Sequence, residues 1–130
     1  MWWMIGGLMA ALAVALGAFG AHALEDALVE EPRLLEVWHT AGRYHMFHAV
    51  GLLAVAVHPR KPTVAGGLFV AGITLFCGSL YLMPILTLAV GGSWRWLGAV
   101  TPIGGVAFIA GWVCLAVWPR GGNQRGLTEG

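Results

Sequence analysis

The residues of this chain best equipped for chemistry are His22, His39, Arg43, Tyr44, His45 and His48. Neutral imidazoles ligate metals and haem iron, and they exchange protons near physiological pH. His22, His45 and His48 could supply three ligands of a metal shell. His45 and His48 are three residues apart, about 60° around a helix, so one face can present both. No Cys, Asp or Glu in the adjoining apolar runs completes a tetrahedral set, and no CxxCH occurs. A dihaem bundle would want matched histidines on opposing helices, and the third and fourth apolar runs contain none. Metal or haem binding is therefore an alternative reading, and no cofactor is expected.

Two other chemistries suit the same residues. Arg43 and the histidines could gate a proton or small-solute pathway, although a chain this short would need to oligomerise to enclose a pore. The leading reading is structural. Arg43 pairs with an acid of the preceding segment (Glu25, Asp26 or Glu36), and the histidines and Tyr44 hydrogen-bond between helices. The protein is then a structural, interaction or assembly partner in the membrane. No catalytic residue is identified, because GxSxG, HExxH and P-loop motifs are absent and no carboxylates pair within the apolar runs. Glu25 and Asp26 are neighbours in sequence and would not share a helix face. An enzyme is not expected.

The setting of these residues is a membrane. The 130-residue chain is 58% hydrophobic and 10% charged, against about 25% charged in a soluble domain. So little charge does not cover a water-facing surface. The net charge of +1 offers no field for nucleic acid, and no basic cluster with interleaved aromatics occurs. Seven tryptophans lie mostly near the ends of apolar runs, where amphipathic rings favour the headgroup level and act as interface anchors.

Spanning the hydrocarbon takes about 20 mainly apolar residues as a helix, and four runs qualify. The first, Trp2 to Ala23, is uncharged. Ala21-His22-Ala23 resembles a signal-peptide cleavage site, but no Lys or Arg precedes the run, so it reads as a retained span. The second is cleanly apolar only from Met46 to Val57. It spans only by reaching back to about Val37, which draws His39, Arg43, Tyr44, His45 and His48 into the membrane. The third starts after Pro62 and continues to about Leu82, with Pro84 as its end or a kink. The fourth runs from Trp96 to Trp118. Thr101-Pro102 suits its first turn, where proline costs little. A polar tail follows at 121–130. The fold class is thus all-α, a four-helix transmembrane bundle over 1–120.

Small residues recur at helical spacing within the spans. Gly7, Ala11, Ala15 and Ala18 lead to His22 in the first, Gly67, Ala71, Thr74 and Gly78 mark the third, and Gly104, Ala107, Gly111 and Cys114 the fourth. Such stripes let backbones approach closely, so these faces are expected to point inward. The bulky face of the first span, Leu8, Leu12, Leu16 and Phe19, is expected to touch lipid or a second subunit. Between the first two spans, Leu24, Leu28, Leu34, Leu35 and Val37 interleave with acids around Pro32, predicting a short interfacial segment. Arg60, Lys61, Arg120 and Arg125 fall on one side, with Arg33, Arg43 and Arg95 opposite, so the positive-inside rule favours cytoplasmic termini. Along antiparallel third and fourth spans, Cys77 would lie about 20 Å and Cys114 about 6 Å from that side. Both thiols are expected to be reduced packing residues.

Four ordered signatures are familiar: Gly17-Ala18-Phe19-Gly20-Ala21-His22, Tyr44-His45-Met46-Phe47-His48-Ala49 with Leu52-Leu53, Arg60-Lys61-Pro62 through Thr74-Leu75-Phe76-Cys77-Gly78-Ser79-Leu80-Tyr81, and Thr101-Pro102-Ile103-Gly104-Gly105 with Gly111-Trp112. Together they resemble the small membrane-protein family called domain of unknown function 423, which has bacterial members and an animal transmembrane relative. The resemblance covers all but the tail. It implies four membrane-spanning helices and, for a bacterial chain, an inner-membrane location. It implies no catalytic residue. The expected partners are the lipid bilayer and a homo-oligomer or other membrane proteins.

Overall fold

The computed structural model describes residues 1–119. The tail at 121–130, and with it Arg120 and Arg125, lies outside the described residues. Among the described residues there are four long helices and no strands: α1 (Trp2–Ala27), α2 (Pro32–Val57), α3 (Thr63–Val90) and α4 (Thr101–Val117), the last preceded by a 3₁₀ turn at Arg95–Ala99. Three segments are long and apolar enough to cross a membrane: Trp2–Ala27, Thr63–Val90 and Arg95–Val117. Helix α2 has 26 residues, but its first half carries Arg33, Glu36, His39 and Arg43, which dilute its hydropathy.

Successive helices run antiparallel, because each connection is short. Gly6 of α1 faces Leu52 and Leu53 of α2, while Gly20 faces Trp38. Gly51 of α2 meets Phe69 of α3, and Gly42 approaches Tyr81. Gly111, Phe108 and Gly104 of α4 meet Phe69, Gly72 and Phe76 of α3 in reverse order. The core between them is built from Leu52, Val55, Phe69, Ile73 and Phe108. Ile103, Val106, Ile109 and Val113 point outward from α4, the distribution that lipid solvates.

Several expectations are corrected. No separate interfacial segment divides the first two helices: α1 continues to Ala27 and α2 begins at Pro32. Leu24 and Leu28 instead bury against Trp38, with Leu34 and Leu35 beside them. These leucines find apolar partners at the end of the bundle, so they have no need of the interface. Proline does not end the third helix either. Pro84 sits inside α3, buried, and the helix runs on to Val90. The lost amide leaves one carbonyl unpaired, a defect that membrane helices tolerate when neighbours pack over it. Gly91 and Gly92, with φ of 73° and 80°, then take the left-handed backbone of the turn, which glycine adopts at no steric cost.

The inward faces also differ from expectation in two helices. Gly7, Ala11, Ala15, Ala18 and His22 are all exposed, and α1 buries Trp2, Gly6, Ala13, Gly20 and Leu24 instead. In α3, Gly67 and Gly78 meet nothing, while Ala65, Gly66, Phe69, Gly72, Ile73 and Cys77 face in. Only in α4 does the expected stripe hold, with Gly104 and Gly111 buried and Ala107 and Cys114 half-buried. Both α1 and α3 contain a π-helical turn, Gly20–Leu24 and Ile73–Cys77. The added residue shifts the helical phase, keeping Leu24 and Cys77 on the packed side. Trp2 and Trp38 prove to be packing residues: Trp2 lies over Gly66 and Trp38 lies over Gly20. Trp3 and Trp96 are exposed, as anchors would be.

Candidate functional site

Helix α2 divides its polar residues between two faces. Trp38, Ala41, His45, His48 and Leu52 recur at steps of three and four and are all buried. His39, Arg43 and Phe47 lie on the opposite, exposed side. The expected cluster is therefore two sites, and His22 belongs to neither.

The inward set ties α2 to the other three helices. Trp38 Nε1 donates to the Leu16 carbonyl of α1 at 2.9 Å, and its ring meets Tyr81 of α3 edge-on at 4.6 Å between centroids. The Tyr81 hydroxyl reaches His45 Nδ1 at 3.5 Å, a long contact by hydrogen-bond standards. His45 is 2% exposed, and its Nε2 has no partner among the described residues. One turn on, His48 Nδ1 lies 2.6 Å from the Tyr44 carbonyl. A carbonyl only accepts, so Nδ1 carries the proton. The His48 ring stacks on Phe108 of α4 at 3.4 Å and 12°, with Phe69 and Trp112 tilted around it. Tyr44 is exposed at its edge but packs on Phe76 at 4.6 Å. A Ser79–Thr101 hydroxyl pair at 2.9 Å joins α3 to α4 nearby.

The outward set is sparser. Arg43 Nη2 donates to Thr40 Oγ1 at 3.0 Å rather than to a carboxylate. Reach explains why Glu25, Asp26 and Glu36 do not pair with it: Arg43 lies roughly 16 Å along α2 from Pro32 and two turns beyond Glu36. All three acids are exposed at the helix ends. His39 is exposed beside Arg43, on the same side of α2.

The three-histidine shell does not assemble. His22 is exposed near the end of α1, whereas His45 and His48 turn into the bundle. Among the described residues, no three His, Cys, Asp or Glu side chains gather where they could hold a metal ion. Cys77 and Cys114 are both free thiols, Cys77 buried and Cys114 half-buried. Sequence reasoning missed Trp38, Tyr81 and Phe108 as partners of the histidines. The signal for Trp38 was present, since it shares the helical spacing of Ala41, His45 and His48. No local signal marks Tyr81 or Phe108, which come from other helices.

Comparison of the sequence with known proteins places the chain in a family. Residues 16–105 match the family model described as protein of unknown function DUF423. The UPF0382 membrane protein YwdK of Bacillus subtilis is 46% identical over 120 residues, spanning 88% of this chain and 91% of that protein. A UPF0382 membrane protein of Staphylococcus saprophyticus is 40% identical over 118 residues, 88% of this chain and 92% of its own. One from Schizosaccharomyces pombe is also 40% identical over 118 residues, covering 98% of its length. No solved structure matches. The match to the family model and the likeness to these membrane proteins together make this chain a member of the DUF423 family, an integral membrane protein built of helices.

Proposed function

We propose that this protein is a structural, interaction or assembly partner held in a bacterial inner membrane by four spans, with cytoplasmic termini. The observation that carries the reading is how the inward polar groups of α2 are used. His48 is stacked on Phe108 and bonded to the Tyr44 carbonyl, and Trp38 is bonded to Leu16. Polar atoms employed in helix packing are what hold a small bundle together where lipid gives no hydrophobic drive. Helix α2 counts as the fourth span because its 26 residues extend about 39 Å, enough to cross about 30 Å of hydrocarbon. It also lies antiparallel between α1 and α3, which carry no charged residue apart from Glu25 and Asp26 at the end of α1.

A proton pathway is the second reading, favoured by one observation: the buried His45 Nε2 without a partner. Vesicles containing the reconstituted protein and an internal pH-sensitive dye separate the two. The structural reading expects a proton leak equal to that of empty vesicles, for wild type and for His45→Phe alike. A leak above empty vesicles that His45→Phe abolishes would replace it with the pathway.

A further inference from the structure

Helices α1 and α2 do not close against each other along their whole length. Beside Trp38 they leave an open groove of about 380 Å³, lined by Ala13, Gly17, Gly42, Met46 and Phe47 with His39 and Arg43 at its polar edge. That volume lies within the range of small-molecule sites, about 300–1,000 Å³. Its floor is made of small residues: a Cβ added at Gly17 would meet nothing within 4 Å, and one at Gly42 would meet only the Tyr81 hydroxyl at 3.7 Å. Its wall is apolar, and its only formal charge is a cation.

The position of that cation is telling. Counting about 20 residues back from Val57 puts the edge of the hydrocarbon near Trp38, so the Arg43 backbone lies roughly 8 Å inside it. Side chains on a helix lean toward its N-terminus. Arg43 does so, since its guanidinium hydrogen-bonds Thr40, one turn nearer the α1–α2 turn. An arginine reaching from this depth brings its head to the level of lipid phosphates. A guanidinium offers five donors in a fork that matches phosphate oxygens, and the bond to Thr40 uses one of them.

We propose that this groove binds an anionic phospholipid from the leaflet on the α1–α2 side, with the phosphate on Arg43 and His39 and an acyl chain laid over Ala13, Gly17 and Gly42 between Met46 and Phe47. The lipid supplies both things the groove lacks, an anion beside Arg43 and apolar volume against an otherwise unfilled floor. A soluble phosphate would leave the floor bare. The site rests on α2 crossing the bilayer.

Native mass spectrometry of the detergent-purified protein with added phosphatidylglycerol or phosphatidylcholine tests the site. Wild type is expected to retain one phosphatidylglycerol per chain in preference to phosphatidylcholine. Arg43→Gln should weaken phosphatidylglycerol retention by tenfold or more and erase the preference, while Arg43→Lys keeps the preference in part. Gly17→Leu, at a position where an added Cβ meets nothing within 4 Å, fills the floor, and retention of both lipids falls while the circular dichroism stays that of wild type. Arg95→Gln, at a separate cavity that also contains Glu31, should change nothing. The site is overturned if Arg43→Gln retains the preference, if Gly17→Leu binds lipid as wild type does, if glycerol phosphate displaces the lipid, or if a second protein chain occupies the groove instead. Failure of the span would be seen separately. In a background lacking Cys77 and Cys114, Glu30→Cys and Arg60→Cys would then react with an impermeant reagent from the same side.

Discussion

Replacing Gly104 by alanine, with Gly105 as its control, puts the helix packing to a direct test. The two glycines are adjacent, yet a Cβ at Gly104 would lie 2.7 Å from Phe76 Cβ and 2.8 Å from Phe76 Cα, against the body of α3. A Cβ at Gly105 would lie 3.7 Å from Phe76 Cδ2, an ordinary contact. Carbon atoms rest at about 3.5–4.0 Å, so Gly104→Ala forces α4 back by roughly 1 Å. The Ser79–Thr101 hydroxyl pair on the same helix pair would lengthen with it. Over-packing of this kind costs about 1–3 kcal/mol. Alanine also returns up to about 1 kcal/mol of helix propensity at either position, and this term cancels when the two variants are compared. Gly104→Ala should therefore be less stable than Gly105→Ala by about 1–3 kcal/mol. Unfolding by SDS titration in mixed micelles, followed by circular dichroism, reads that difference. Equal midpoints for the two variants, or a lower one for Gly105→Ala, would mean that α4 presents another face to α3. The pair Gly66 and Gly67 offers a second copy of the experiment. Gly66 lies under the Trp2 ring and Gly67 is open.

Two further outcomes probe the histidine–aromatic core. His48→Ala should lose about 2–4 kcal/mol through the cavity left beside Phe108, whereas His48→Phe, which keeps a stacked ring, should stay within about 1.5 kcal/mol of wild type. The same SDS titration checks both, and a wild-type midpoint for His48→Ala would refute the stack. Gly20→Ala should destabilise the wild type because its Cβ would overlap the Trp38 ring. In a Trp38→Leu background that penalty should largely vanish, and a double-mutant cycle measures the coupling.

How much of this was legible beforehand varies by feature. Four helices were readable because the apolar runs are long and Pro62 and Thr101-Pro102 punctuate them. Their outer ends were not, because Leu24, Leu28, Leu34 and Leu35 read equally well as interfacial residues or as a packed cap. Only their contact with Trp38 separates the two. Pro84 shows the same limit, since whether a proline stops a membrane helix depends on what packs over it. For the candidate site, the sequence pointed to the polar residues of α2 together with His22, which the structure leaves exposed and apart from them. It did not show that His45 and His48 face inward while His39 and Arg43 face out.

That Arg43 and its histidines fall on the one helix whose cleanly apolar run, Met46 to Val57, is short was determined by composition and run length alone. Which face of each helix turns inward was decided only by tertiary structure. Lipid and a packed protein interior are equally apolar, so hydropathy along a span holds no signal for inside against outside. The glycine doublets make the point: Gly6-Gly7, Gly66-Gly67 and Gly104-Gly105 are indistinguishable as text, yet one member of each meets a neighbouring helix and the other is open or in loose contact. Shape complementarity with Leu52 and Leu53, Trp2 and Phe76 makes that choice, and those partners come from elsewhere in the chain.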